Sequence, residues 1–578
     1  MAIWTTYRIA DAATEIEDEK FVLPVIQRPL VWTEEKMELL FDTLLKGDSF
    51  GAIMAIEEEK GAQPLFNYRP FTKDGCFIPS RQAGTLTQQQ LFIIDGQQRL
   101  QTFYIGLKGS INGKILYFDL FSDYNSEFEF KFENNMSSLP KQTKEDRAIQ
   151  KHLWYSIKDL LQKLKNTGKY KQIVKMIIEE NSISDESHKD CIEENVLAFY
   201  ENVLNSNTLG ISKVVINKCL PDRTEEESAI ENRQKIVEMF RRLNDGGTKL
   251  SSFELVASIL KGFDWRMENF LNQMLDSYQD IGLSQENLIK LVFLLQDNYS
   301  KEMSLLEYSD ANFAIKNADK IKAAIKALKN FLDKAELLKF YQNNNSSFIP
   351  LFFIVYHLFH KDIEVLKIER YFDNYDSGNT DFPLMKKWLY HSLLNGVFRS
   401  RGAGWVPYKT GVKKILEIIK NFRNKDFPTG ELFKVYNEKL NAFTIFYSSE
   451  NLHKLDKDFL FFLMYDCKPP ARVNDIDHIM PRKILSDKGI EWDKINNIKN
   501  YQLIDYSTNR GNKNDTPFAK WINGADKRGE KNVKDKKAFL RLHLIPANED
   551  LWSEDRCLDF QEKRAKIILE KITSYIPS

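Results

Sequence analysis

A chain of 578 residues is too long for one hydrophobic core, and about three or four units are expected. Its 43% hydrophobic and 28% charged content is that of a globular protein, with 40 Phe and 23 Tyr to fill several cores. Lys plus Arg and Asp plus Glu both total 82, which excludes a bulk-charge argument for nucleic acid; any DNA contact must come from local basic patches.

The chain begins MAIWTTYRIADAATEIED, which lacks the charged-then-apolar order of a signal peptide. "KFVLPVIQRPLVW" reads as extended chain with a turn at Pro29. Apolar residues at 37, 39, 40, 41, 44 and 45 make a helical stripe, with Thr33 as N-cap and Gly47 as its stop. "FGAIMAIEE" predicts a strand. "QLFIIDGQQRLQTFYIGLKG" predicts a buried strand, a tight turn at Asp95-Gly96 and a helix, which together imply an α/β unit. Residues 60–90 and 120–150 are polar and read as insertions. "ISKVVINKCL" is strand-like, and "ENRQKIVEMFRRLNDGGTKLSSFELVASILKG" is helix, Gly-rich turn and helix, the second capped at Ser251 or Ser252.

Residues 255–470 carry mostly helical periods without a fixed repeat, which disfavours a solenoid. The richest apolar run, Phe348 to Phe359, is about half of what a membrane span needs and predicts a buried helix. His357 and His360 there form an i,i+3 pair with no third ligand nearby and read as structural. The Lys-rich helices at 315–340 and 411–424 read as solvated faces. From 471 the character changes: "RVNDIDHIMP" is a short strand, "NYQLIDYS" a second, and "STNRGNKNDTPFAKWI" leads into a helix. Arg472, Arg482, Lys483, Lys499, Arg510, Lys513 and Lys520 make this tail locally basic, while Trp32, Trp492 and Trp521 read as core packing. The five cysteines, at 76, 191, 219, 467 and 557, are scattered with no C-x-x-C pair; this argues against a zinc ribbon and suits a cytoplasmic protein.

Asp475-Ile-Asp477-His478-Ile-Met-Pro481 carries the sharpest chemical signal. Alternation sets Asp475 and Asp477 on one strand face and His478 on the other, and a bulge or strand end would let Asp477 and His478 converge. A carboxylate oxygen is a hard ligand for Mg²⁺ or Mn²⁺, and an imidazole titrating near neutrality can deprotonate water. Asn500 and Asn509 follow at loop-sized and strand-sized gaps, with Lys513 one turn beyond. The pattern resembles the ββα-metal motif of HNH nucleases. That resemblance implies His478 as general base, Asp477 and Asn509 as metal ligands, and Asn500 as the residue that fixes the loop, with Arg510 and Lys513 facing DNA phosphate.

Near the N-terminus, Val25-Ile-Gln27-Arg28-Pro29, Ile94-Asp95-Gly96-Gln97-Gln98-Arg99 and the stretch from Arg242 to Ser251 stand out. Gly96 permits a turn that exposes amides at a helix start, and Arg99 in the first turn could fork onto a phosphate. Together these stretches resemble the ParB-like N-terminal domain of GmrSD-type, modification-dependent restriction endonucleases, a family that joins this domain to a C-terminal HNH domain. By that resemblance Gln27, Arg28, Asp95, Gly96, Gln97, Gln98 and Arg99 line a nucleoside-triphosphate pocket (GTP or another NTP) closed by Asn244, Gly246 and Thr248. Ile26 stands where many members have Tyr, and no G-x-x-x-x-G-K-[ST] loop exists; "GSINGKIL" at 109–116 comes nearest.

The resulting expectation is an α+β multidomain chain. Residues 1–262 form a ParB-like, NTP-binding and modification-sensing α/β domain, 263–395 a helical connection, and 396–578 a helical domain carrying the HNH motif. Its activity would be NTP- and metal-dependent cleavage of modified double-stranded phage DNA, without a membrane partner and with homodimerisation left open. The other readings are a nucleotide-switched DNA-binding protein without nuclease activity and an RNA-directed HNH nuclease.

Overall fold

The computed structural model describes residues 2–80, 84–139, 152–216, 221–244, 252–298, 308–343, 347–399, 411–439, 443–468, 474–531 and 533–577. The chain divides into two compact units, one of residues 1–271 with 303–315 and the other of 272–302 with 316–578. Of the stretch expected as a helical connection, 263–271 and 303–315 fall in the first unit, and the remainder falls with the tail in the second.

The first unit is built on a six-stranded mixed sheet. Its strands are β1 (Ala2–Tyr7), β2 (Phe21–Pro24), β3 (Ile53–Glu58), β4 (Tyr68–Pro70), β5 (Gln90–Asp95) and, after a second sheet, β9 (Leu209–Val214). They run in the order β1-β9-β3-β5-β2-β4, with β2 parallel to β5 and β3 parallel to β9. The β5 residues 90–94 are all buried, as its unbroken apolar run requires of a strand covered on both faces. Directly after it Gly96 takes φ 86, and the helix Gln97–Lys108 begins. A Cβ at Gly96 would stand 2.2 Å from the Ile53 side chain, so both the backbone turn and the close approach require glycine. The helix expected after Thr33 spans Glu34–Leu45, with Gly47 at φ 74 just beyond.

A second, three-stranded antiparallel sheet joins β6 (Ile115–Asp119), β7 (Phe130–Glu133) and β8 (Trp154–Ser156) in the order β7-β6-β8. It departs from the reading of 120–150 as a polar insertion. Phe130 and Phe132 are buried while Lys131 between them is exposed, so strand alternation outweighs the polar composition around it. Phe118 and Phe130 stack with ring centroids 4.6 Å apart, which welds this sheet into the same core as Phe41 and Phe103.

Among its described residues the second unit is helical around one small hairpin. Ile349–Phe359 is a helix buried from Pro350 to Phe359, and among the described residues no helix is long and apolar enough to cross a membrane. His357 meets Asp381, which also holds Lys361 at 2.8 Å, so it is a core histidine as expected. The helix Ala318–Lys334 buries Ile321, Ile325, Leu328 and Leu332, and its outward Lys329 pairs with Asp280 at 2.7 Å. Burial pushes His360 and His391 down to about 4 and His543 to about 3, with Arg423 adding to the effect at His360 and Arg564 at His543. Unfolding returns each to about 6.5, so the unfolded chain takes up protons that the folded one refuses. Their stabilising share is therefore present above about pH 6.5 and is lost as pH falls toward 4. Three such groups predict a slope of up to about 4 kcal/mol per pH unit near pH 5.5. Urea denaturation of the second unit at pH 7.5 and pH 5.5 measures it, and equal midpoints would refute it.

Candidate active site

In the second unit the strand β10 (Asn474–His478) pairs antiparallel with β11 (Tyr501–Asp505), setting Asp477 opposite Gln502 and His478 opposite Tyr501. Asp505 then ends the hairpin. Its carboxylate accepts the Thr508 amide at 3.0 Å and the Thr508 hydroxyl at 2.6 Å, which starts the helical segment running through Lys513. The segment thus runs strand, loop, strand and helical turn, as its residue pattern predicts.

His478 is partly exposed. Its Nε2 lies 2.9 Å from the Asn496 side-chain oxygen, and the Asn496 amide nitrogen is itself committed to the Trp492 carbonyl at 3.1 Å. An amide oxygen only accepts, so Nε2 carries the proton and Nδ1 is left with its lone pair. Burial lowers the imidazole below its ordinary value, against the upward pull of Asn496 and Asp477, which favours this neutral form. Asn500 is fully buried. Its side-chain oxygen accepts the Met480 amide at 3.0 Å, and its nitrogen donates to the Met480 and Ile495 carbonyls, both at 3.1 Å. All its polar atoms thus hold the turn after His478 against the loop that carries Asn496.

Asp477 is buried, and Gln502 donates to one of its oxygens at 2.7 Å. The Lys513 ammonium reaches both oxygens, at 3.0 and 2.9 Å, and donates to the His478 carbonyl at 2.6 Å. Lys513 is entirely buried, so it faces the carboxylate rather than lying open to a phosphate as its sequence position implied. Asn509 is not brought onto Asp477. Its amide nitrogen points at Asp475 at 3.4 Å, and Arg510 donates to the same Asp475 oxygen at 3.2 Å while its guanidinium covers the Tyr506 ring at 3.9 Å. Arg510 remains exposed.

Two residues that pattern reading passed over hold this hairpin in place. Asn496 orients the imidazole. Arg564, fully buried on the helix Cys557–Thr573, donates to the carbonyls of Ile498, Tyr501 and His543 at 2.8–2.9 Å.

In the first unit the Gln27 and Asp95–Arg99 segments lock onto each other. Gln27 donates to the Ile93 carbonyl at 2.9 Å and the Ile94 carbonyl at 2.5 Å, and Gln97 donates to the Arg28 carbonyl at 2.6 Å. Gln98 accepts the Val31 and Trp32 amides at 2.9 and 3.2 Å. Arg99 ties the loop before β3, donating to the carbonyls of Phe50 at 2.7 Å and Ala52 at 3.0 Å, and pairs with Asp95 at 3.0 Å. The first role of these side chains is therefore to build a rigid turn beneath Gly96. Asn244 ends the helix Glu225–Asn244, and Gly246 and Thr248 lie outside the described residues. Arg69, which the sequence reading did not single out, is buried under the turn, donating to the Gln27 carbonyl and pairing with Glu268 at 2.7 Å.

The same unit brings Asp119, Glu129 and His152 together with ligand atoms within 4.8 Å of one another. The His152 Nδ1 already sits 2.5 Å from Asp119, whose other oxygen accepts the Phe121 and Leu153 amides at 3.0 and 2.7 Å. The His152–Asp119 pair braces the loop ends, and Glu129 stands 3.9 Å from the same imidazole nitrogen.

Residues 9–261 match the family model described as GmrSD restriction endonuclease, N-terminal domain. Over its full length the chain is similar to an uncharacterized protein of Methanocaldococcus jannaschii, at 22% identity over 634 aligned positions that take in 99% of each chain. The matched segment contains the Gln27-Arg28 and Asp95–Arg99 stretches whose interlock is described above. Over residues 9–261, then, the chain is similar to the N-terminal domain of GmrSD restriction endonucleases.

Proposed function

We propose that the chain is a metal-dependent endonuclease of the HNH type that cuts DNA, with an N-terminal domain that binds and hydrolyses nucleoside triphosphate and senses base or backbone modification of phage DNA. The observation that carries the reading is the His478 imidazole. Asn496 holds its Nε2 proton, its Nδ1 is open, and it stands beside a buried carboxylate on a hairpin clamped by Asn500.

A neutral imidazole held this way takes a proton from water at Nδ1 as the water attacks a phosphodiester. Asp477 already meets a cation, the Lys513 ammonium, so its position suits positive charge. The Asp477 carboxylate is a hard donor that would hold Mg²⁺ or Mn²⁺ with Lys513 yielding its place, and Asn509, which meets Asp475 here, would have to turn its amide oxygen to the ion to be a second ligand. Such an ion would supply charge stabilisation at the scissile phosphate and leaving oxygen. Arg510, exposed at the rim, is left to meet the DNA backbone.

The buried Asp477–Lys513 pair also favours a second reading, in which the pair is purely structural and the tail is a DNA clamp in a nucleotide-switched binding protein. Incubating the full chain with modified and unmodified plasmid and with RNA, with and without Mn²⁺ and each NTP, separates the two readings. Metal-dependent plasmid cutting supports the first, DNA retention without cutting the second, and degradation of RNA alone overturns both. For the N-terminal domain, Arg99→Ala is expected to cut NTP turnover by about tenfold or more, because it releases the loop at Phe50–Ala52 along with the guanidinium. Unchanged turnover in that variant refutes the assignment.

A further inference from the structure

The first unit holds a cavity of about 310 Å³ between the 63–67 turn and the 261–266 segment. Three cations, Arg233, Lys261 and Arg266, and a single carboxylate, Asp264, are among its lining residues. Asp264 is committed to Arg266, which grips it at 2.6–3.2 Å. Arg233 donates to the Leu65 carbonyl at 2.7 Å. Lys261 has neither a hydrogen-bond acceptor nor an ion pair among the described residues. The acid that most influences it, Glu268, is occupied by Arg69 at 2.7 Å and by the Ser80 amide at 2.8 Å.

An ammonium in a protein wall without a counter-ion is costly, and such a group either gives up its proton or waits for an anion. Lys261 keeps partial exposure at the cavity, yet the protein packed around it pushes it down to about 8. Arg233 and Arg266 line the same cavity, and guanidinium groups there favour the anion over carbonyl chemistry at a free amine. Phe66, Trp265 and Tyr308 add aromatic surface to the same walls. Aromatic faces accept any nucleobase, since every base has a π-face.

We propose that this cavity is a binding site for a phosphate-bearing nucleotide, with phosphate on Lys261 and the base against Phe66, Trp265 and Tyr308. It is a different place from the Arg99 turn and does not rest on nucleotide chemistry there. The phosphate has two sources, a free nucleotide or a DNA terminus.

Acylation reads the site directly, because only a neutral amine reacts. The full-length protein is treated at neutral pH with limiting acetic anhydride and mapped by mass spectrometry. Lys261 is expected among the first lysines acetylated, and to be protected by its ligand. Protection by GTP, ATP or pyrophosphate points to a free nucleotide; protection only by an oligonucleotide with a terminal phosphate points to DNA. No protection by any of these overturns the site. In parallel, Lys261→Met is expected to weaken binding of the protecting ligand by about tenfold or more. Unaltered affinity in a folded variant also overturns it, and should that variant not fold, the acylation map of the native protein decides. Loss of NTP hydrolysis in Arg99→Ala with Lys261 still protected separates the two sites. Continued hydrolysis with Lys261 unprotected sinks this site alone.

Discussion

His478→Ala is expected to abolish plasmid nicking, with a loss of about 100-fold or more, and to leave folding and DNA retention intact. The expectation of intact folding follows from how little the imidazole supports. It is partly exposed, its hydrogen bond is to the Asn496 side chain, and its ring meets Tyr501 edge-on at 5.0 Å. The contact that matters to the hairpin, Lys513 on the His478 carbonyl, belongs to the backbone and survives the substitution. Gel conversion of supercoiled to open-circular plasmid with Mn²⁺, alongside thermal unfolding of the same preparations, provides the test. Undiminished nicking would remove the base, and lost nicking with lost folding would show a structural histidine instead.

The parts of this site that were legible in the sequence are those whose signal is local. Alternation in Asp475-Ile-Asp477 announces a strand, and β10 is one. The apolar run before Asp95-Gly96 announces strand, turn and helix, and only glycine tolerates the φ and the closeness to Ile53 found there. Lys513 shows where local logic fails. Counting one regular turn from Asn509 faces it outward, but Asn509–Lys513 is a widened π-type turn, and the ammonium swings inward to Asp477 beneath the Trp521 ring. The supports were illegible for a different reason. Arg564 reaches carbonyls 66 and 63 residues away, and Arg69 meets Glu268 across 199. Neither has a period or a neighbour that marks it, because its partner is chosen by tertiary packing. A buried arginine betrays itself only once the carbonyls it satisfies are placed.

The Asp477–Lys513 pair yields the largest expected effect on stability. Both side chains are buried, so Asp477→Asn strands an ammonium among Trp521, Gln502 and one carbonyl, at a cost of about 3–5 kcal/mol. Lys513→Met is expected to be milder. Burial already raises the Asp477 carboxyl above its ordinary value despite Lys513, so without the ammonium it can take up a proton and keep its bond to Gln502. Replacing both charges together should restore most of the loss while leaving nicking absent, so the double-mutant cycle in urea should show strong coupling. The cycle also bears on the metal. In wild type an ion held by Asp477 would have to displace the ammonium, whereas in Lys513→Met it would have to displace only a proton. Mn²⁺ should therefore raise the melting temperature of Lys513→Met by more than that of wild type. Equal shifts would mean that Asp477 is not a ligand, and an Asp477→Asn protein as stable as wild type would mean that no buried ion pair holds the hairpin.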